Sequence, residues 1–475
     1  MERKSGVLMH ISSLFGDYSI GGFSEDAKYF IDFLSDCGFS YWQVLPFCMI
    51  DEFNSPYKSY STFGGNPYFV SLKTLYKKGL LTEEELASAK QETPYLCEFA
   101  RLRDERIKLL NKASLRVLDK AAILDFINNE PYLYKLCEFM ALKEANNDKP
   151  WYEWEVDTYK NETFFMWAFI QYEFFNQWAE IKAYANNKGI KIVGDIPIYV
   201  SQDSCDVWSN KEQFCLDKDN RPTLVAGVPP DYFCEDGQLW GNPIYNWDVM
   251  KENGYKWWSD RIKHMSKMFD SLRIDHFRGI ESYWAVPGDA ETAKEGCWKK
   301  GPGMELVEVI KNSAGETEII AEDLGEITYE VQKLVEDSGF PGMRVFQFGF
   351  LSDGDSLHKP YNYGYNTVAY TGTHDNNTLL GYLWELGDEA RKNMLEYCGH
   401  SGSWETGCES IIRTMFASHA KLVIMPIQDL LGYGSDTRLN TPGRADGNWQ
   451  YRITKEQLDS IDKERFKRLN RIYSR

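Results

Sequence analysis

The chain has 475 residues, 43% of them apolar and 26% charged, with a net charge of −18 and no long basic block. That composition belongs to a soluble globular protein able to bury a large core, and it argues against nucleic acid and anionic membranes as partners. A neutral or cationic ligand stays open, and an aromatic share of 15% leans weakly toward sugars, whose rings have one apolar face and a polar edge.

Ten cysteines are scattered without a CxxC pair, a pattern of reduced thiols and not of a disulfide scaffold. The opening Met1-Glu-Arg-Lys-Ser-Gly6 lacks the apolar core of a signal peptide. No run reaches the roughly 18 apolar residues of a membrane span. A cytoplasmic location is therefore expected, where the sequons at Asn161 and Asn376 have no meaning.

In chain order, Gly6 to Ile11 reads as a first strand, and Ser24 caps a helix with apolar positions Ala27, Phe30, Ile31 and Leu34, closed by Gly38. Tyr41 to Pro46 is a second strand, and this βαβ opening makes a parallel sheet the working hypothesis. The polar, aromatic stretch Asn54 to Tyr68 is too long and too rich in Gly and Pro for a tight turn, and its four aromatics favour a functional loop. From about Thr82 to Asn187 the pattern is helical, with a capping-box start at Thr82 and an aromatic stripe from Phe164 to Trp178 that fits packing better than a sugar platform. Ile190 to Val200 is a third strand holding Asp195. A Pro- and Gly-punctuated excursion then runs through Ala226 to Pro243, and a helix from Asn253 leads into a fourth strand, Ser271 to Gly279. Glu318 to Leu324, Met343 to Phe348, Val368 to Asp375 and Leu422 to Leu431 complete eight strand candidates, and a last helix covers Lys455 to Ile472.

Eight strands alternating with helices close an α/β (β/α)8 barrel, the TIM barrel. Such a barrel takes about 250 residues, which leaves roughly 225 for insertions, mainly helical, after strands two and three. The expected organisation is one catalytic barrel over 1–475 with a helical insertion at about 61–187 and a second insertion at about 201–252.

Active sites of these barrels form at the C-terminal ends of the strands. There the sequence places Asp275 on strand four, Glu322-Asp323 on strand five and His374-Asp375 on strand seven, with Asp195 on strand three. Arg273 lies two residues before Asp275, so both point to one face; a buried structural ion pair is the competing reading. Carboxylates crowded at one mouth cannot all ionise, so one keeps a proton and acts as an acid, as a retaining glycosidase requires. A divalent metal site would use the same residue types, but there is no GxxxxGK[ST] loop and no HExxH spacing.

The segments NSPYKSYSTFGGNP, VGDIPIYV, VAGVPPDYF, QLWGNPIY, RIDHFRG, AEDLG, YTGTHDNNT and GRADGNWQYR, in that order from Gly6 to Arg452, resemble the amylomaltase family, the 4-alpha-glucanotransferases of glycoside hydrolase family 77. The resemblance implies transfer of an α-1,4-glucan segment from a malto-oligosaccharide donor to the 4-hydroxyl of an acceptor, with no cofactor and no metal. It implies Asp275 as nucleophile, Glu322 as general acid/base and Asp375 as the third carboxylate, with Arg273 orienting Asp275. His374 and Asp195 would bind the sugar, Tyr57 would stack on it, and Asp231, Gln238 and Trp240 would belong to a cleft-covering loop, with Ser55 nearby. Lys58 stands where Gln is usual, Asn54 where Asp is common, and Phe47 to Phe53 departs from the usual text. A retaining α-glucan hydrolase on the same carboxylates is the nearest alternative, and a non-catalytic glucan-binding protein the remote one. Oligomeric state is not legible.

Overall fold

The computed structural model describes residues 2–475 except Glu52, Asp231 to Cys234, Ser352, Asp353 and Ala445. Eight parallel strands close a barrel: Lys4–Leu8, Tyr41–Gln43, Lys191–Ile196, Ser271–Ile274, Glu318–Ala321, Gly342–Val345, Thr367–Tyr370 and Leu422–Pro426. They pair in chain order, and the first strand meets the eighth with Lys4 opposite Leu422, so no edge of the sheet is left open.

Both faces of each strand are buried, which is why the strands read as near-continuous apolar runs. Val193, Ile320, Met343, Val368, Tyr370, Leu422 and Ile424 fill the barrel interior. Their neighbours Ile192, Ile319, Ala369, Val423 and Met425 pack outward against the helices. The same alternation turns Arg273 inward, since Leu272 and Ile274 on either side belong to the outer core.

Between strands two and three lie several helices, the longest Asn161–Asn187, which packs beside Pro131–Ala145. Its stripe Phe165, Trp167, Phe169, Phe174 and Trp178 is buried, and the Trp178 indole donates to the carbonyl of Met268 at 3.0 Å. Ser24 and Thr82 cap their helices as expected, the latter in a capping box.

The excursion after strand three is more ordered than its Pro and Gly content implies. Leu224–Val228 and Gln238–Pro243 form an antiparallel pair and join Ser282–Pro287 and Cys297–Lys300, which follow strand four, in a four-stranded sheet beside the barrel mouth.

Several strands end earlier than the sequence expectation, and three other boundaries differ from it. The helix expected from Asn253 starts at Lys256 and runs to Met268, because Gly254 and Tyr255 take left-handed backbone conformations (φ +69° and +54°) that separate it from a short preceding helix, Trp247–Glu252. The terminal helix divides into Lys455–Asp459 and Lys463–Tyr473, because Asp462 caps the second segment by accepting from the Arg465 amide at 3.0 Å. Strand eight stops at Pro426, and Ile427–Leu431 is a helix.

Candidate active site

Strands three and four carry the floor of the site. In register, Asp195 lies opposite Arg273, and both face the barrel interior. Arg273 Nη1 donates to both Asp195 oxygens at 2.9 and 2.8 Å, and its Nη2 lies 2.8 Å from Asp275 Oδ1. The guanidinium side chain is 4% exposed and Asp195 fully buried. Burial alone would weaken the hold of Arg273 on its proton, but Asp195 and Asp275 outweigh it and raise its pKa well above the usual value. A cation fixed in this way holds the Asp275 carboxylate beside it in a set position.

Strand five ends at Ala321 and delivers Glu322, which is 8% exposed. Its Oε2 accepts from the amide of His276 at 2.6 Å, and its Oε1 from the amide of Leu324 at 2.8 Å. His276 follows Asp275 directly and sits in the left-handed region (φ +52°), an uncommon position for a residue with a side chain. Glu322 is thereby tied to the peptide unit next to Asp275. Burial pushes the Glu322 carboxyl up from 4.5 to about 7; Arg273 and the two amides pull the other way, while the Asp275 charge adds to the rise. A substantial fraction therefore keeps its proton at neutral pH, as a general acid must.

A stability consequence follows, with its sign fixed by the direction of the shift. The folded-state value exceeds the unfolded one, so the contribution is fully present below about pH 4.5 and is lost as pH rises through about 7. Glu322→Gln cannot ionise. Its stability relative to the wild type is expected to improve by up to about 3 kcal/mol between pH 4.5 and pH 8, read from urea unfolding at both pH values. An unchanged difference would mean that the carboxyl ionises as readily in the fold as in the unfolded chain.

His374 and Asp375 do not sit at a strand end, as the sequence had them, but four and five residues beyond Tyr370 in a tight loop. The Asn376 side-chain oxygen accepts from the Thr373 amide and hydroxyl at 2.8 and 2.9 Å. Asp429, buried on the helix after strand eight, joins the two ends of the loop by accepting from the Thr371 hydroxyl at 2.5 Å and the Leu379 amide at 2.7 Å. The Asp375 carboxylate lies 3.3 Å from His374 Nε2 and accepts from Asn440 Nδ2 at 2.5 Å, while Arg438 holds its backbone carbonyl at 2.6 Å. Burial would raise the Asp375 pKa, but the charge and hydrogen bond of His374 and the Asn440 amide bring it down to about 2. Burial acts against the His374 proton in turn, and Asp375 raises its pKa above the usual histidine value.

Over this floor lies a cleft of about 460 Å³ that reaches Asp275, His374 and Asp375. The Tyr57 hydroxyl donates to Asp195 Oδ2 at 2.8 Å, and its ring stacks on His374 with centroids 5.1 Å apart and tilts against Trp449 at 6.0 Å. Ser55 accepts from the Tyr57 amide at 3.3 Å. The opposite wall is the strand Gln238–Pro243, where Trp240 meets the His276 ring edge-on at 4.9 Å and donates to Gln238 Oε1 at 3.2 Å. Asp231, expected on the same covering segment, lies outside the described residues. Asp195 is brought to the site but fully buried, with both oxygens engaged. In this geometry it supports Arg273 and Tyr57.

Sequence reasoning missed the His276 and Leu324 amides, Asn440, Arg438, Trp449 and Asp429. Trp449 lies within the recognised motif GRADGNWQYR, whereas Arg438 and Asn440, which hold Asp375, lie just before it. Among the described residues, no group of three or more His, Cys, Asp or Glu is arranged to hold a metal ion, and no helix is long and apolar enough to cross a membrane.

A closed parallel barrel whose mouth gathers a proton-holding glutamate, a guanidinium-paired aspartate and a third carboxylate under aromatic walls is the architecture of an enzyme acting on glycosidic bonds. The sequence profile of glycoside hydrolase family 77, described as 4-alpha-glucanotransferase, matches residues 9–458, and the chain belongs to that family. The chain is 42% identical to a 4-alpha-glucanotransferase of Streptococcus pneumoniae over 100% of its own length and 98% of that protein. It is 41% identical to one of Aquifex aeolicus over 100% and 99%. Its fold matches that of an amylomaltase from Streptococcus agalactiae, solved in complex with acarbose, with a TM-score of 0.96, 40% identity and full coverage of both chains.

Proposed function

We propose that this chain is a 4-alpha-glucanotransferase working by retention, with Asp275, Glu322 and Asp375 as its reacting carboxylates. The observation that carries the assignment of roles is the bond from the His276 amide to Glu322, which sets a proton-holding carboxyl beside a carboxylate paired with Arg273. In the first half-reaction, Asp275 Oδ forms a bond to the anomeric carbon as that carbon's bond to the 4-oxygen of the next glucosyl unit breaks. Glu322 gives its proton to the departing oxygen. In the second, Glu322 takes the proton from an acceptor 4-hydroxyl, whose oxygen displaces Asp275 and restores the α-linkage. Asp375, ionised down to about pH 2, accepts hydrogen bonds from ring hydroxyls and favours the distorted, cation-like ring of the transition state. Tyr57 and Trp240 supply apolar faces, and the Gln238–Pro243 strand covers the cleft so that a sugar hydroxyl competes with water for the covalent intermediate.

The substrates are malto-oligosaccharides and longer α-1,4-glucans. A cytoplasmic location belongs to the same proposal and is supported by nine free thiols among the described residues, six of them buried.

Incubation with maltotriose tests this reading. The expected product is a ladder of glucose, maltose and oligomers longer than the substrate, with little new reducing end formed. A gain of one reducing end for each bond broken would make the protein a hydrolase, and an unchanged substrate would refute enzymatic action on α-1,4-glucans.

A further inference from the structure

A second cavity, of about 420 Å³, adjoins the catalytic cleft and has no part in the chemistry above. The two share Phe53, Lys58, Trp240 and Asn242, so the second adjoins the first along these side chains as a branch of the same surface. Its far walls come from two insertions: Lys143 to Tyr152 from the helical segment and Ser201 to Asp203 from the excursion after strand three.

The branch is pre-formed. The Trp151 indole donates to the Gln202 carbonyl at 2.7 Å, the Trp151 amide to Asp203 Oδ1 at 3.1 Å, and Lys143 Nζ to Asp203 Oδ2 at 2.6 Å, which locks the two insertions together. Asn242 Nδ2 donates to the Val200 carbonyl at 2.8 Å and fixes the shared wall. The Arg221 guanidinium lies over the Tyr152 ring at 4.2 Å and fixes its orientation.

The lining selects a class of ligand. Three carboxylates (Asp51, Asp148, Asp203) stand against two ammonium groups, which disfavours phosphate or nucleotide. Of those ammonium groups, Lys143 is already paired, and Lys58 lies over the Phe53 ring at 4.6 Å. The lining combines the aromatic side chains Phe53, Tyr152 and Trp240 with the hydrogen-bonding side chains Gln202, Asp148 and Asn242, a composition suited to sugar rings. The volume suits a small ligand of on the order of two glucosyl units.

We propose that this branch is a subsite for the outer glucosyl units of long α-1,4-glucan chains, and that Tyr152 and Asp148 set the preference of the enzyme for chain length. Lys58 lines both cavities. The inference rests on the glucanotransferase reading above.

The test compares kcat/KM for disproportionation of maltotriose and of maltoheptaose in the full chain, with thermal melts to verify folding. Maltotriose is too short to occupy both the cleavage site and the branch. Tyr152→Ala is expected to lower kcat/KM for maltoheptaose by about tenfold, the worth of one aromatic contact, and to leave maltotriose within about twofold. Asp148→Asn, chosen because Asn tolerates the left-handed backbone at this position (φ +59°), is expected to lower the maltoheptaose value by about threefold, also without effect on maltotriose. Equal losses on both substrates, or no loss on either, would overturn the subsite while leaving the transferase reading intact. Failure of the wild type to rearrange either substrate would instead remove the reading on which it rests.

Discussion

Asp275→Asn is expected to lose at least about 10⁴-fold in maltotriose disproportionation while still folding, because the carboxamide cannot form the covalent bond to the anomeric carbon. Folding should survive because the Asp275 side chain is 30% exposed and Arg273 keeps both of its bonds to Asp195. The Asn side-chain oxygen can still accept from Arg273 Nη2, so what disappears is the nucleophile's charge and not the frame around it. Glucose release in initial-rate assays, together with a thermal melt, checks both halves. Activity within tenfold of the wild type would show that another group, or water, attacks the anomeric carbon.

Glu322→Gln should lose about 10³- to 10⁴-fold on maltotriose, the upper range for a general acid/base, and its behaviour should depend on the leaving group. With α-maltotriosyl fluoride, the departing fluoride needs no proton, so attack by Asp275 should proceed at a rate close to that of the wild type. Deprotonation of the acceptor then lacks its base, and the glycosyl-enzyme should accumulate on the Asp275 peptide, where mass spectrometry reads it. In the wild type acting on maltotriose, kcat should fall as pH rises through about 7, since the carboxyl loses the proton it has to donate. With the variant and the fluoride, that decline should vanish. A variant that used the fluoride no better than maltotriose would sink the assignment of Glu322 as the acid.

The barrel was legible in the sequence for a definite reason. Strands buried on both faces leave runs such as Leu422-Val-Ile-Met that no solvent-facing segment imitates, and all eight were found. Their C-terminal ends were overdrawn because apolar loop residues such as Ile198 and Val200, buried under the insertions, carry the same signal as strand. The helix start after Tyr255 and the break at Asp462 went unseen, since the first is a left-handed turn at a bulky residue and the second a cap inside an otherwise helical pattern. Asp275 and Glu322 were readable because carboxylates directly after a strand stand out against apolar text. Glu322 owes its fixed position to two backbone amides, however, and an amide leaves no trace in residue identity. Asn440 and Trp449 reach the cleft from a segment without strand or helix periodicity, so nothing in their spacing announces where they point.

Asp195 has one more implication, for how such a site can change over generations. Both of its oxygens serve partners, Arg273 below the nucleophile and Tyr57 on the wall, and none of its surface reaches water. Loss of this one acid would leave the buried guanidinium with Asp275 as its remaining ion partner and Nη1 without its two bonds, at a cost of up to about 3 kcal/mol, a sizeable part of what holds an average domain together. Three positions, drawn from the segments after strand two, in strand three and in strand four, are thus bound into one heritable unit. A lineage that drifts away from this chemistry has to alter them jointly or pass through ancestors that barely fold.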